Sequence, residues 1–363
     1  MAVYKIFAEK DATLYSNYPN QNTGLDEILE IGNTLGTDTG DAFQVMRPVI
    51  KFSTSDINDT LVNKVNGVPF TASLKLFLAQ ADSIPVDFTI NCYRISGSWN
   101  MGTGKFQDNP ENQTGVSWQW KSSIATNPWI PVAYSSSVTA SYNNAYPGGG
   151  TYIYTNEATQ SFSNNDTLDI AVNVTSQVHG IYSSSFNDGF LLKLNNSLEF
   201  QTGSFFNLKY FSVDTHTIYP PVLEIGWDDS TFSTGSESVI TDSNFVVSFR
   251  NNQYTYQRGS VQRFRLEVRP QYPIRTFTTS SVYLTSYYLP QNSYYQIVDM
   301  DTEEIIIAFN NSTTKISADS ISSYLDIYMN GLQPERYYKI FIKTTLDGST
   351  IIRDSDLTFK VVQ

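Results

Sequence analysis

Cysteine is almost missing from this chain: Cys92 is the single thiol in 363 residues. No disulfide framework can form within the chain, and cysteine-based zinc sites are excluded with it. Two readings of Cys92 remain, a catalytic nucleophile or a small buried hydrophobe in the run Asn91-Cys92-Tyr93. Histidine is nearly as scarce. His179 and His216 stand far apart, in neither a His-Glu-x-x-His nor a His-x-His arrangement, so histidine-driven catalysis and a zinc hydrolase centre are disfavoured. Charged residues are 16% of the chain, against about 25% in an average globular protein. No apolar run approaches the ~18 residues of a membrane span. The start, Met1-Ala-Val-Tyr-Lys-Ile-Phe-Ala-Glu-Lys10, has no basic segment followed by an apolar one, so no signal peptide is expected. A Gly-x-Ser-x-Gly elbow is lacking, and Gly102-Thr103-Gly104-Lys105 is too short to cradle phosphates and reads as a turn. Helical periodicity is scarce too. The clearest case is Thr54–Val65, where Ile57, Leu61, Val62 and Val65 are predicted to share a face.

What the chain has in quantity is aromatic surface: 24 Tyr, 22 Phe and 5 Trp within a hydrophobic fraction of 40%. That suffices for a substantial core and excludes wholesale disorder. The formal charge of −12, with a pI near 4.6, disfavours nucleic acid as a partner, because an acidic surface repels phosphate. Alternation with a period of two runs through Leu74-Lys-Leu-Phe-Leu78, Arg263-Phe-Arg-Leu-Glu-Val-Arg269 and Tyr338-Lys-Ile-Phe-Ile-Lys343. Such segments are strands with one face on a core and the other wet. The closing strand Pro220–Trp227 is followed by the polar stretch Asp228–Glu237, which reads as a linker. The expected fold is all-β, a large β-sandwich domain over 1–232 followed by a smaller β domain over 233–363.

The irregular part of the first domain, 97–150, carries Trp99, Trp118, Trp120 and Trp129. Long loops on a rigid sandwich often bear function. These tryptophans either cover the open end of the sandwich as an auxiliary core or offer flat rings to sugars. On the second reading Trp118, Trp120, Trp129 and Tyr134, with Tyr142, form a glycan surface. Asp26/Glu27, Asp228/Asp229 and Glu303/Glu304 are adjacent acid pairs. Neighbours on a strand point to opposite faces, so solvated charge is the expected role of each. Asp299-Met-Asp301-Thr-Glu303 is similar to part of a calcium loop but lacks its glycine and closing glutamate. No catalytic residue, cofactor or metal ligand is assigned.

Several segments together resemble the DNRLRE family of jelly-roll, carbohydrate-binding-module-like domains. They are Lys10-Asp-Ala-Thr-Leu-Tyr15 with Asn22-Thr-Gly24 and Ile28–Gly32; Arg47-Pro-Val-Ile-Lys-Phe52 with Ala72–Phe77; and Ser98-Trp99 with Val116-Ser-Trp118. Leu168–Thr175 with Asn187-Asp-Gly-Phe-Leu-Leu192, and Phe211-Ser212 with Pro221–Ile225, complete the series. Gly331-Leu-Gln-Pro-Glu-Arg-Tyr-Tyr-Lys-Ile340 is similar to the tyrosine-corner segment of fibronectin-III and immunoglobulin-like modules. The combination resembles virion structural proteins of contractile-tailed phages of marine cyanobacteria. That resemblance implies a non-enzymatic component of a tail, neck or baseplate, located in the virion. It would act in attachment or assembly through contacts with other virion proteins, in a symmetric array, with neither nucleic acid nor membrane as partner. The alternative is a carbohydrate-binding module recognising host surface glycan. A glycoside hydrolase would require two convergent carboxylates about 5 to 9.5 Å apart.

Overall fold

A computed structural model describes residues 2–35, 44–124, 126–129, 138–139, 148–163, 165–201, 203, 205–235, 238–250, 252–274 and 286–363. Among them strands supply nearly all the regular structure, so the chain is all-β, as its alternation predicts. It divides into two compact units. One is Ile6–Lys64 with Thr71–Glu224; the other is Met1–Lys5, Val65–Phe70 and Ile225–Gln363.

The strands of the N-terminal region are β1 (Ala2–Tyr15), β2 (Ile28–Thr34), β3 (Gln44–Phe52), β4 (Phe70–Leu76), β5 (Leu78–Asp82), β6 (Phe88–Ile95), β7 (Val138–Thr139), β8 (Tyr152–Phe162), β9 (Ile170–Asn173), β10 (Phe190–Leu194), β11 (Phe206–Phe211) and β12 (Val222–Trp227). They hydrogen-bond in the order β7-β8-β6-β10-β3-β1-β12-β4-β9, while β2 joins β3 to β11 and β11 pairs with β5. This open, mainly antiparallel arrangement is jelly-roll-like. Period-two alternation sends Ala12 and Leu14 of β1, Val45 and Val49 of β3, Tyr93 and Ile95 of β6, and Leu191 of β10 into one apolar cluster. Cys92 lies opposite Leu192 in the β6–β10 pair and is fully buried, and burial alone pushes its thiol pKa upward. It is a core residue, inert as a nucleophile.

Helix α1 (Thr54–Asp59) starts where Ser53 accepts a hydrogen bond from the Asp56 amide and continues as a π-helical turn over Thr60–Val65. The wider turn keeps Ile57, Leu61 and Val65 buried but leaves Val62 49% exposed, so Val62 is not on the shared face. Helix α2 (Thr175–Ser184) buries Gln177, Val178 and Ile181, and α3 (Asn196–Glu199) is capped by the Asn195 side chain.

The second unit is a two-sheet sandwich. Its strands are β13 (Phe245–Arg250), β14 (Thr255–Gln257), β15 (Val261–Pro270), β16 (Ser293–Asp299), β17 (Ile305–Ile307), β18 (Ser317–Ala318), β19 (Ser323–Tyr328), β20 (Tyr337–Leu346) and β21 (Ser349–Val362). The sheets run β13-β15-β19-β18 and β14-β21-β20-β16-β17. Phe264, Leu266 and Val268 of β15 meet Tyr338, Ile340 and Ile342 of β20 in the core between them. Tyr338 is buried and its hydroxyl donates to the Gln333 carbonyl at 2.9 Å, the tyrosine-corner geometry that its sequence context predicts. The polar stretch after Trp227 is no free linker. Lys315 pairs with Asp228 at 2.9 Å, and the Ser233 amide donates to Ala318 at 3.0 Å. Its polar side chains are turn and bridge formers, which composition alone does not separate from linker residues.

Candidate functional site

The tryptophan-bearing segment is built inward. Trp99, Trp118 and Trp129 join Val116 and Tyr152 in the cluster that caps β1, β3, β6 and β10. Trp118 is 1% exposed and Trp129 3%, so neither ring presents a face on which a sugar could stack. Their indoles serve the fold. Trp99 Nε1 donates to Asp188 O at 2.7 Å and Trp129 Nε1 to Ser117 O at 3.0 Å. Trp120 is half-buried, its Nε1 bonded to Asn20 Oδ1 at 2.8 Å. Tyr134 and Tyr142 lie outside the described residues.

Two polar devices hold this segment, and composition indicates neither. Asn22 is fully buried; its Nδ2 donates to the Met101 and Val116 carbonyls, each at 2.7 Å, while Oδ1 accepts from the Gly104 amide at 2.7 Å. The loop closes so tightly that a Cβ on Gly115 would stand 2.4 Å from the Gly102 Cα. Beneath the Trp118 ring, at 5.0 Å, lies the guanidinium of Arg47. It donates twice to Glu199, from Nε at 2.6 Å and Nη2 at 2.9 Å, and from Nη1 to Gly149 O at 2.8 Å. Lys193 meets the same carboxylate at 2.6 Å, and all three side chains are fully buried. Burial acts to raise the Glu199 pKa, but the two cations outweigh it and hold the carboxyl below its ordinary value. Alternation carried the signal: in Val45-x-Arg47-x-Val49 and Leu191-x-Lys193 the charges share a face with core residues. The network is closed off from solvent, so its role is structural.

A cavity of about 390 Å³ opens beside Tyr15, Asp26, Glu27, Ile28, Glu30, Lys105, Phe106 and Gln107. Asp26 and Glu27 precede β2 in a bend rather than on a strand, and both line it, so the opposite-faces argument fails for this pair. The Asp26 carboxylate accepts from the Phe106 amide at 3.1 Å, yet burial outweighs that bond and pushes its pKa up to about 6. Phe106 packs on Tyr15 and Tyr18, with ring centroids 4.5 and 5.1 Å away. The other acid pairs have local duties. Asp228 holds Lys315, and the Glu304 carbonyl accepts from Asp299 N at 2.9 Å in the β16–β17 turn. The calcium-like Asp299-x-Asp301 pattern is an Asx turn, Asp299 Oδ1 accepting from the Asp301 amide at 2.9 Å while its carboxylate pairs with Arg336. Both His179 and His216 are exposed. Among the described residues no group of three or more His, Cys, Asp or Glu is placed to hold a metal ion.

The two outer faces of the second unit differ. The four-stranded sheet is laced with ion pairs: Arg263 meets Asp326 through two 2.8 Å hydrogen bonds, and Arg265 meets Asp319 at 2.8 and 2.9 Å. The five-stranded sheet instead bears an open groove of about 540 Å³. It is lined by Val298, Met300, Ile305, Phe341 and Ile352, with Gln296, Asp299, Glu303 and Lys339 among them. Register explains it. Gln296 and Asp354 flank Phe341 across the ladder, so the odd-numbered face of β20 places one aromatic ring among polar neighbours. Ile305 and Ile352 are 55% and 54% exposed. At one end the Lys343 ammonium lies between the Tyr294 and Phe309 rings, 5.0 and 4.9 Å from their centroids. No family model and no curated protein matches the chain. Among solved structures it is similar to a DUF4785 family protein of Legionella pneumophila, with 10% identity and a TM-score of 0.17, covering all of this chain and 62% of that one. A β-glucuronidase of Parabacteroides merdae follows at 9% identity and a TM-score of 0.16, with 99% and 36% covered. The chain thus spans less than two thirds of either protein, and such scores lie far below those of a shared fold.

Proposed function

We propose that this chain is a non-catalytic attachment and assembly protein, a structural component of a phage particle that docks through the groove on its five-stranded sheet. The observation that carries the reading is the asymmetry of the second unit: one outer face is laced by Arg–Asp pairs across its strands, while the other, beside the Lys339–Asp354 pair, opens a groove in which Val298, Met300, Ile305, Phe341 and Ile352 are interspersed with polar groups. Exposed apolar patches of this kind mark protein–protein surfaces, where an apolar centre is ringed by polar contacts. Charge distribution supports the same unit. Ile6–Lys64 with Thr71–Glu224 contains 10 Lys and Arg against 20 Asp and Glu, a formal −10. The remaining residues contain 13 against 15, only −2. A nearly neutral unit approaches an acidic neighbour with little long-range repulsion, and repetition in a symmetric particle turns modest contacts into high avidity. The membrane is not part of this reading, and no helix among the described residues is long and apolar enough to cross one.

Mass spectrometry of purified particles of the encoding phage is the test. The chain is expected there, and Phe341→Asp with Ile352→Asp is expected to fold yet be lost from the particles; absence of the parent chain overturns the reading. A second reading, glycan binding, rests on the smaller cavity, where Phe106, exposed at its rim, stands with Asp26, Glu27, Glu30 and Gln107. Binding on a glycan array that disappears in Phe106→Ala would support it, and binding that persists in Phe106→Ala would remove this site.

A further inference from the structure

Asp11 is a carboxyl in the wrong surroundings for a charge. It sits on β1 opposite Ile50 of β3, 1% exposed. Its one hydrogen bond among the described residues is from the Val213 amide to Oδ2 at 2.8 Å. No cation is paired with it there, and the charge that acts on it is another carboxylate, Asp214. Asp214 has a buried Oδ2 without a hydrogen-bond partner. An ionised carboxylate so placed has lost its water and gained one amide and a repulsive neighbour, so the neutral acid is the stable form. The groups that act on Asp214 in turn are Lys105, Glu27 and His216, the last fully solvated. The segment after β11 is tied at the same place to the cavity wall. Ser212 donates from its amide to Glu27 O at 3.0 Å and from its hydroxyl to Asp26 O at 2.6 Å.

We infer that Asp11 is a proton-dependent clasp: as a neutral acid it tolerates burial beneath residues 211–216, and when ionised it draws in water and releases them together with the Asp26–Glu27 wall of the carboxylate cavity. The inference is independent of the particle assignment. Burial, aided by Asp214 and opposed by the Val213 amide, raises the Asp11 pKa from 3.8 to about 8. The folded state therefore holds a proton that the opened state gives up. Stability of the clasp is full below about pH 4 and declines as pH rises, until the loss is complete above about pH 8.

Hydrogen exchange on the full-length protein tests this directly. Protection of the 211–216 amides, corrected for the intrinsic pH dependence of exchange, is expected to fall up to about tenfold per pH unit towards pH 8 and then level off. Asp11→Asn keeps an acceptor for Val213 and cannot ionise, so the decline between about pH 6 and pH 8 is expected to vanish, leaving at lower pH only what Asp26 and Asp214 contribute. A flat profile in the parent chain, or the same decline in Asp11→Asn, overturns the clasp. Should Asp11→Asn fail to fold, infrared difference spectra of the parent chain between about pH 7 and pH 9 decide the matter. Loss of a protonated-carboxyl band supports the clasp, and no such loss overturns it.

Discussion

At the scale of single residues, buried polarity decides how the first unit is held. Arg47, Lys193 and Glu199 put two cations and one anion in a space without water. Such a group adds little net stability over an apolar packing, but removing one member leaves the others uncompensated. Glu199→Gln is expected to lower unfolding free energy by about 3–5 kcal/mol, measured by urea denaturation. The pH signs are opposite for the two buried acids. Glu199, held below its ordinary 4.5, contributes stability above that value and loses it as pH falls through its folded pKa. Asp11, raised to about 8, loses its contribution as pH rises from about 4 to 8. The melting temperature should therefore peak in mild acid, and Asp11→Asn should flatten only the alkaline side. Asn22→Ala strands the carbonyls of Met101 and Val116 and is expected to cost about 2–4 kcal/mol, with the change in tryptophan fluorescence following the same unfolding curve.

Elements show where sequence pattern is informative and where it stops. On β20, and over Phe264–Val268 of β15, every second residue is buried, as alternation predicts, because a strand's two faces meet different solvents. Outer-face changes on β20 and β21 should therefore spare the fold. Ile352→Asp is expected to shift stability by no more than about 0.5 kcal/mol, measured by thermal melting, while removing apolar lining from the groove. The groove itself was not legible in the sequence. It depends on which residues of β16, β20 and β21 lie side by side, and a one-residue slip of register would replace Phe341 with a core residue. The same limit hid the Arg47–Glu199 pair, whose members are 152 residues apart. Helix α2 was missed for a different reason. Its Ser, Thr and Gly content gives a poor intrinsic helix, and packing of Gln177, Val178 and Ile181 overrides propensity. The tryptophans were legible as important but ambiguous in direction, since a ring that buries area and one that stacks on a sugar have the same sequence.

At the scale of the whole molecule, the chain's first residues belong to the second unit. Residues 2–5 group with Ile225–Gln363, although Ile6 onward belongs to the other unit. Val3 is in the core between the two C-terminal sheets. Tyr4 meets Tyr328 edge-on at 5.6 Å and accepts from Asn330 Nδ2 at 3.0 Å. Lys5 donates to Ile306 O at 2.8 Å, covering a carbonyl of β17, the outermost strand of its sheet. A charged side chain on a short, apolar edge strand also blocks its pairing with other chains. The sandwich from 225 onward is thus complete only with a segment more than two hundred residues upstream, a contact of very long sequence separation. In the full-length chain Val3→Asp buries an unpaired charge among Phe, Ile and Leu side chains. It is expected to destabilise the C-terminal unit by about 3 kcal/mol or more, read as faster hydrogen exchange throughout β16, β17 and β20. Amides of β6 and β10 should retain their protection. If β6 and β10 exchange faster to the same degree, the two units unfold as one; if none of these strands responds, residues 2–5 are not part of the second core.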